Sequence, residues 1–296
     1  DYSRLYEIIN MTMGWLRHPE DLTHVTYELG VSLSRQNVRY AEVSVNPIRF
    51  TESGWTFEQF LAAINHGRDR AERGWGVKMR WILAITRDQP RHADEVIRWA
   101  SSASGQNNGI VGVDLSGPEA AQPIGQFERA FRTAAKKDLP RFVQAGETSG
   151  GVGTLEALQQ LDPTDLVDGW GSAESSEIRD LLAEKSIPIH IGLTRALRQG
   201  WVQKYADYPL QTLLDDDLSV LLSSPMPSYY QTGLADEYLM AVEHCGLSVE
   251  AIEHIALNAV HACHLAPAEK AALAETFTQE YASLREEHLA EQQADT

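Results

Sequence analysis

The sequence predicts an α/β fold, a TIM-type (β/α)8 barrel in one domain over residues 1–296, with its first strand missing. Three observations carry this expectation. Short β-branched or apolar runs alternate with longer amphipathic stretches, the pattern of parallel strands joined by helical crossovers. No Pro/Gly/Ser linker, composition shift or internal repeat divides the chain. A length of 296 residues suits one such barrel.

Seven strands are expected. They are Val38 to Val45, Lys78 to Thr86, Ile110 to Leu115, Arg141 to Gln144, Leu166 to Trp170, Ile187 to Leu193 and Leu218 to Ser223. Helical stretches lie between them at Thr56 to Arg73, Ala93 to Ser102, Phe127 to Lys137, Leu155 to Leu161, Ser175 to Lys185 and Pro209 to Asp215. A helical tail runs from about Ala235, punctuated by Gly246 and Pro267, into the acidic end Arg285 to Thr296, where fraying is expected. Seven strands are one short of a closed barrel, and an open sheet would leave two bare edges, so the missing strand is expected to precede Asp1.

Composition narrows the function. With 43% apolar and 23% charged residues the chain reads as an ordinary globular protein, and no apolar run approaches a membrane span. Lys and Arg number 25 against 42 Asp and Glu, a net charge of −17, which repels nucleic acid and anionic lipid. Cys245 and Cys263 are the only cysteines, so neither a disulfide framework nor a Cys-x-x-Cys site is expected, and a reducing cytoplasm suits the chain. The first residues lack the order of a signal peptide.

Four segments appear in order: YAEVSVNP (Tyr40 to Pro47), GVDLSGPE (Gly112 to Glu119), QAGETSG (Gln144 to Gly150) and TGLADEY (Thr232 to Tyr238). Together they resemble the adenosine deaminase family of metal-dependent barrels, over roughly residues 20–284. The resemblance implies a zinc ion held by a His-x-His pair on the first strand, a His opening a His-Ala-Gly-Glu segment, and an Asp after the last strand. Zinc lowers the pKa of bound water toward ~7.

This chain departs from that pattern at the reaction centre. The first pair would precede Asp1. The ligand His corresponds to Gln144, the Asp-Asp-Pro segment to Pro225, Met226 and Pro227, and the His of the family's Gly-His-Gly turn to Trp170. None of these side chains is a zinc ligand of the accepted types, so neither metal nor any other cofactor is expected. Glu147 matches the family's proton-donating acid, and Asp114 and Gly117 match the segment facing the base. Glu147, in an apolar surround, is the expected catalytic acid, with capping of the next helix or pairing with a cation as the plain alternative. His190 stands where the family has Glu and is expected to partner Glu147, a satisfied core histidine being the plain alternative.

Gln144, Trp170, Met226, Tyr229 and Tyr230 are expected to form a wall for a planar or apolar ligand. The run Gly150 to Gly153 reads as flexible closure beside Glu147, not as a dinucleotide loop, because its third glycine is replaced by Glu156. His261 and His264 are expected to pack rather than bind metal. The function that follows is a metal-independent acid–base enzyme, of cyclase, isomerase or lyase type, acting on a small molecule. Two alternatives stand beside it: a pseudoenzyme binding a purine-like ligand or a protein, and a zinc-dependent adenosine deaminase. Homo-oligomerisation stays open.

Overall fold

This computed structural model describes residues 2–288; the end of the tail expected to fray, residues 289–296, lies outside them. One sheet of parallel strands runs in sequence order: β1 (Tyr40–Val45), β2 (Lys78–Thr86), β3 (Ile110–Ser116), β4 (Arg141–Ala145), β5 (Asp165–Asp168), β6 (Ile189–Ile191) and β7 (Val220–Leu222). The curled sheet is an α/β half-barrel.

All seven expected strands are present, and the differences lie at their ends. The segment expected as a strand over Ile187 to Leu193 pairs only at Ile189–Ile191, because a helix begins at Leu193. Leu193 to Gln199 carries helical spacing, Leu193, Ala196 and Leu197, closed by Gly200 at φ +78°. That short helix proves important for the site.

Between strands, helices cover the outer face. The Phe57–Trp75 helix opens with a capping box, Thr56 accepting from the Gln59 amide while Gln59 reaches back to Thr56, and ends at left-handed Gly76. Its Phe60 and Ile64 are buried in the core with Leu83, Ile85, Val113 and Val143 from the outer face of the strands. Each such side chain contributes about 1.5–3 kcal/mol through burial. Its polar Asn65 is also buried, and accepts from the Trp81 indole at 2.7 Å.

Alternate residues point inside the curl. On β4 these are Phe142 and Gln144, on β3 Asp114 and on β1 Glu42 and Ser44. The interior therefore divides into a layer near the N-terminal strand ends, holding Glu42, Phe142, Asp165 and His190, and a layer above it with Ser44, Asp114 and Gln144.

β1 and β7 do not pair with each other among the described residues. The Val249–Ala262 helix packs against β7, where its Asn258 amide donates to the Val220 carbonyl at 3.1 Å. Just past that helix, the His264 amide donates to Glu42 on β1 at 2.6 Å. One segment thus ties both edges of the sheet.

The glycine run is a correction to the sequence reading. Gly150 to Gly153 is the first turn of the Gly150–Gln160 helix rather than a flexible loop. The reason is close packing. The Gly151 amide donates to Glu174 at 2.8 Å, and a Cβ on Gly171 would stand 2.4 Å from the Gly150 carbonyl carbon. Backbone lies on backbone there, which only glycine allows.

Candidate functional site

The C-terminal strand ends converge on a buried charged cluster. Glu147 follows β4, Asp168 ends β5, Arg195 lies in the first turn after β6, and Arg87 immediately follows β2. Their exposures are 4%, 2%, 3% and 2%, so water screens none of these charges. Arg195 forms an ion pair with Glu147 through Nη2 and with Asp168 through Nη1 at 2.9 Å. Its guanidinium also stands 5.5 Å from the Trp201 ring.

Glu147 meets opposed influences. Burial pushes its carboxyl well above the usual range, the Arg195 charge pulls it back, and Asp168 raises it again by charge and by a hydrogen bond between the two carboxyl groups. The net direction is upward, so Glu147 holds its proton to higher pH than an exposed carboxyl does. Asp114, buried one layer deeper, is pushed up to about 6 by burial, against hydrogen bonds from Ser44 and Ser116 and the charge of Arg87.

Two further carboxylates hold the frame. Glu119 accepts from the amides of Gly146, Thr148 and Ser149 and from the Ser149 hydroxyl, at 2.7–3.0 Å, which pins the turn carrying Glu147. Burial would raise the Glu119 carboxyl, but those donors hold it below its ordinary value. Glu237, fully buried, accepts from the Thr194 amide at 3.1 Å and from the Thr232 hydroxyl at 3.3 Å. It caps the helix that presents Arg195. Arg87 stitches the neighbouring strand ends by donating to the carbonyls of Gly117 and Gln144.

Of the residues expected to form the site, the structure brings together Glu147, Gln144, Gly117 and Asp114, with the Gln144 side-chain oxygen accepting from the Gly117 amide at 3.3 Å. The buried Tyr230 lies beside them, its hydroxyl accepting at 2.6 Å from Gln199 on the helix that carries Arg195. Glu147 also takes the plain role foreseen for it, pairing with a cation. Trp170 packs half-buried against the core, and Met226 precedes the short Pro227–Tyr230 helix at φ +46°.

Two expectations are corrected. His190 does not partner Glu147: its Nε2 lies 2.9 Å from Asp165 Oδ1, one layer below the mouth. Because β6 is only three residues long, the side chain that reaches the mouth from this segment is Arg195. Tyr229 turns away from the cluster and its hydroxyl bonds Thr12 on the Tyr2–Met13 helix.

His264 does more than pack. Its Nδ1 lies 3.1 Å from Glu42 Oε2 and its Nε2 3.5 Å from Asp165, with Phe142 edge-on to both His264 and His190. Burial pushes His264 down, but the hydrogen bond and charge of Glu42, with Asp165 beyond, outweigh burial and the repulsion of Lys270 and hold its value above 6.5. A raised folded value means that this contribution to stability is complete below the unfolded value near 6.5 and is lost as pH rises through the folded one. His264→Gln is therefore expected to cost about 1–3 kcal/mol at pH 5.5 and distinctly less at pH 8.5. Urea midpoints at both pH values test this; an equal loss at each would remove the charge from the argument.

A zinc ion does not fit the residues present. The positions that the resemblance assigns as ligands hold Gln144 and the Pro225-Met226 pair, and Trp170 stands for the orienting His. The guanidinium of Arg195 lies in the same cluster and already occupies the Glu147 and Asp168 carboxyl groups, so a dication there would compete with it for the same oxygens. Among the described residues no group of three or more His, Cys, Asp or Glu side chains is placed to hold a metal. No helix among them is long and apolar enough to cross a membrane.

Comparisons with known proteins place this geometry. The aminodeoxyfutalosine deaminase of Streptomyces avermitilis is 30% identical over 282 residues, covering 94% of this chain and 79% of that protein. The solved adenine deaminase of Arthrobacter aurescens superposes with a TM-score of 0.87 at 25% identity, over 94% of this chain and 85% of that one. An amidohydrolase from Burkholderia ambifaria, solved with bound zinc, superposes with a TM-score of 0.85 at 22% identity, over 92% and 76% of the two chains, a likeness of fold. The family model described as Adenosine deaminase matches residues 1–280, and the chain belongs to that family.

Proposed function

We propose that this deaminase-family barrel is a metal-independent acid–base enzyme acting on a planar or apolar small molecule, with Glu147 as its proton donor. The observation that carries this reading is the buried Glu147–Asp168 carboxyl pair bracketed by Arg195. Asp168 takes up a proton that the substrate releases, Arg195 stabilises the negative charge that develops, and Glu147 gives its proton to a heteroatom of the substrate. The proton then passes from Asp168 back to Glu147, which restores the pair, so the substrate undergoes a net isomerisation, cyclisation or elimination. Tyr230, Gln144 and the Gly117 backbone orient the substrate.

A second reading, zinc-dependent deamination, is favoured by the 30% identity to an aminodeoxyfutalosine deaminase. Metal analysis of the purified protein separates the two. Less than 0.1 equivalent of zinc, on the order of background, and no ammonia from adenosine or aminodeoxyfutalosine are expected from the ligand types present. One equivalent of tightly held zinc, with activity abolished by a chelator, would establish the deaminase reading instead.

A further inference from the structure

The Tyr2–Met13 helix faces the Leu193–Gln199 helix and the Pro227–Tyr230 turn across a cavity of about 490 Å³. Arg4, Leu5 and Ile8 come from the first of these elements, and Arg198, Gln199 and Tyr230 from the other two. The lining holds two guanidinium groups and no carboxylate among the described residues, in a chain of net charge −17. The summed charge of the chain repels anions, so a cationic pocket on it is a local exception, where field is focused on whatever enters. Leu5, Ile8 and the tyrosines supply apolar and aromatic wall beside those charges.

The cavity is one side chain from the buried cluster. Tyr230 lines it and takes a hydrogen bond at 2.6 Å from Gln199 Nε2, on the same short helix as Arg195. Arg195, Arg198 and Gln199 lie three and four residues apart on a single helix, so one face carries charge from the cluster out to the cavity. A molecule seated against Tyr230 thus has one end between two arginines and the other against the helix that carries Arg195.

We propose that this cavity binds the oxyanion of the substrate, a phosphate monoester or a carboxylate on a planar or apolar body, with Arg4 and Arg198 gripping the anion and Tyr230 meeting the reacting end. The assignment rests on the acid–base reading of Glu147 for which end reacts. Guanidinium forks match both oxyanions in two-point geometry, which ammonium groups do not.

Calorimetric titration with 1-naphthyl phosphate, 1-naphthoate and neutral 1-naphthalenemethanol tests it. At least one anion is expected to bind about tenfold more tightly than the alcohol, weakening as salt is raised. Arg198→Gln and Arg4→Gln should each weaken the anion by about five- to tenfold and leave the alcohol unchanged. Preference for the phosphate or for the carboxylate then names the oxyanion. Equal binding of all three probes, or anion affinity indifferent to both variants, overturns the proposal. Glu147→Gln should retain anion binding, so the two readings fail separately: absent anion binding with turnover still dependent on Glu147 removes the cavity alone, and intact anion binding with turnover indifferent to Glu147 removes the acid alone.

Discussion

Glu147→Gln is expected to reduce turnover by about 10²- to 10⁴-fold while barely changing the melting temperature. Glutamine reproduces the contacts of a neutral glutamic acid. Its oxygen can accept from Arg195, and its amide can donate to Asp168, so the packing and the hydrogen bonds of the buried pair survive. Only the transferable proton is lost. The wild-type rate should fall as pH rises through the raised Glu147 value, because the acid must carry its proton to act. The variant should lose that limb of the profile. Assays use the substrate identified by mass spectrometry of whatever co-purifies with the protein. Unchanged turnover would remove Glu147 from the chemistry, and a large loss of stability would assign it to the frame instead.

Arg195→Leu is expected to have the largest effect on folding, about 3–5 kcal/mol, because it leaves two buried carboxyl groups beside each other without their cation. The melting temperature should fall by roughly 10 °C on the scale relating free energy to unfolding entropy for large domains. Leucine approximates the stem of arginine but satisfies no oxygen. Arg195→Lys should recover part of the loss, since one ammonium can reach one carboxylate but cannot bridge Glu147 and Asp168 in the two-pronged way. The combination of Arg195→Leu with Glu147→Gln and Asp168→Asn should recover more, because the charges that needed compensation are gone. Urea unfolding of the four proteins decides it. A loss below about 1 kcal/mol for Arg195→Leu would mean that the carboxyl groups are solvated, contrary to their burial.

Much of the frame could be read from the chain before its coordinates. Seven apolar runs announced seven parallel strands in order, since neighbouring crossovers place sequential strands side by side. Gln144 and Glu147 were legible because they fall on a recognised segment at the C-terminal end of a strand. Asp168, Arg195 and Arg87 were not singled out, although each occupies the same kind of place, within a few residues of a C-terminal strand end, where barrels gather chemistry. Asp168 falls inside the apolar run Leu166 to Trp170 and reads as part of that strand, and Arg195 falls just beyond the run Ile187 to Leu193, of which only Ile189–Ile191 pairs.

His190 failed for a more general reason. Alternation along a strand tells which face a residue takes but not its depth, and depth depended on where Asp165 of the neighbouring strand stood. The carboxylates Glu119 and Glu237 lay inside recognised segments, yet their work is to hold turns 27 and 43 residues away, which local spacing cannot reveal.

The stacked glycines beside the cluster act as a shim. Gly150 begins the helix that follows Glu147, and Gly171 lies in the turn that follows Asp168, with nothing but main chain between them. The gap between the two carboxyl-bearing turns is therefore gauged by the thickness of two peptide groups, the smallest spacer a polypeptide offers. Side chains elsewhere in the barrel can retune the charge on Glu147 and Asp168, but they have little purchase on this spacing. Any side chain inserted at position 171 would work as a wedge, opening the angle between acid and base without touching either of them.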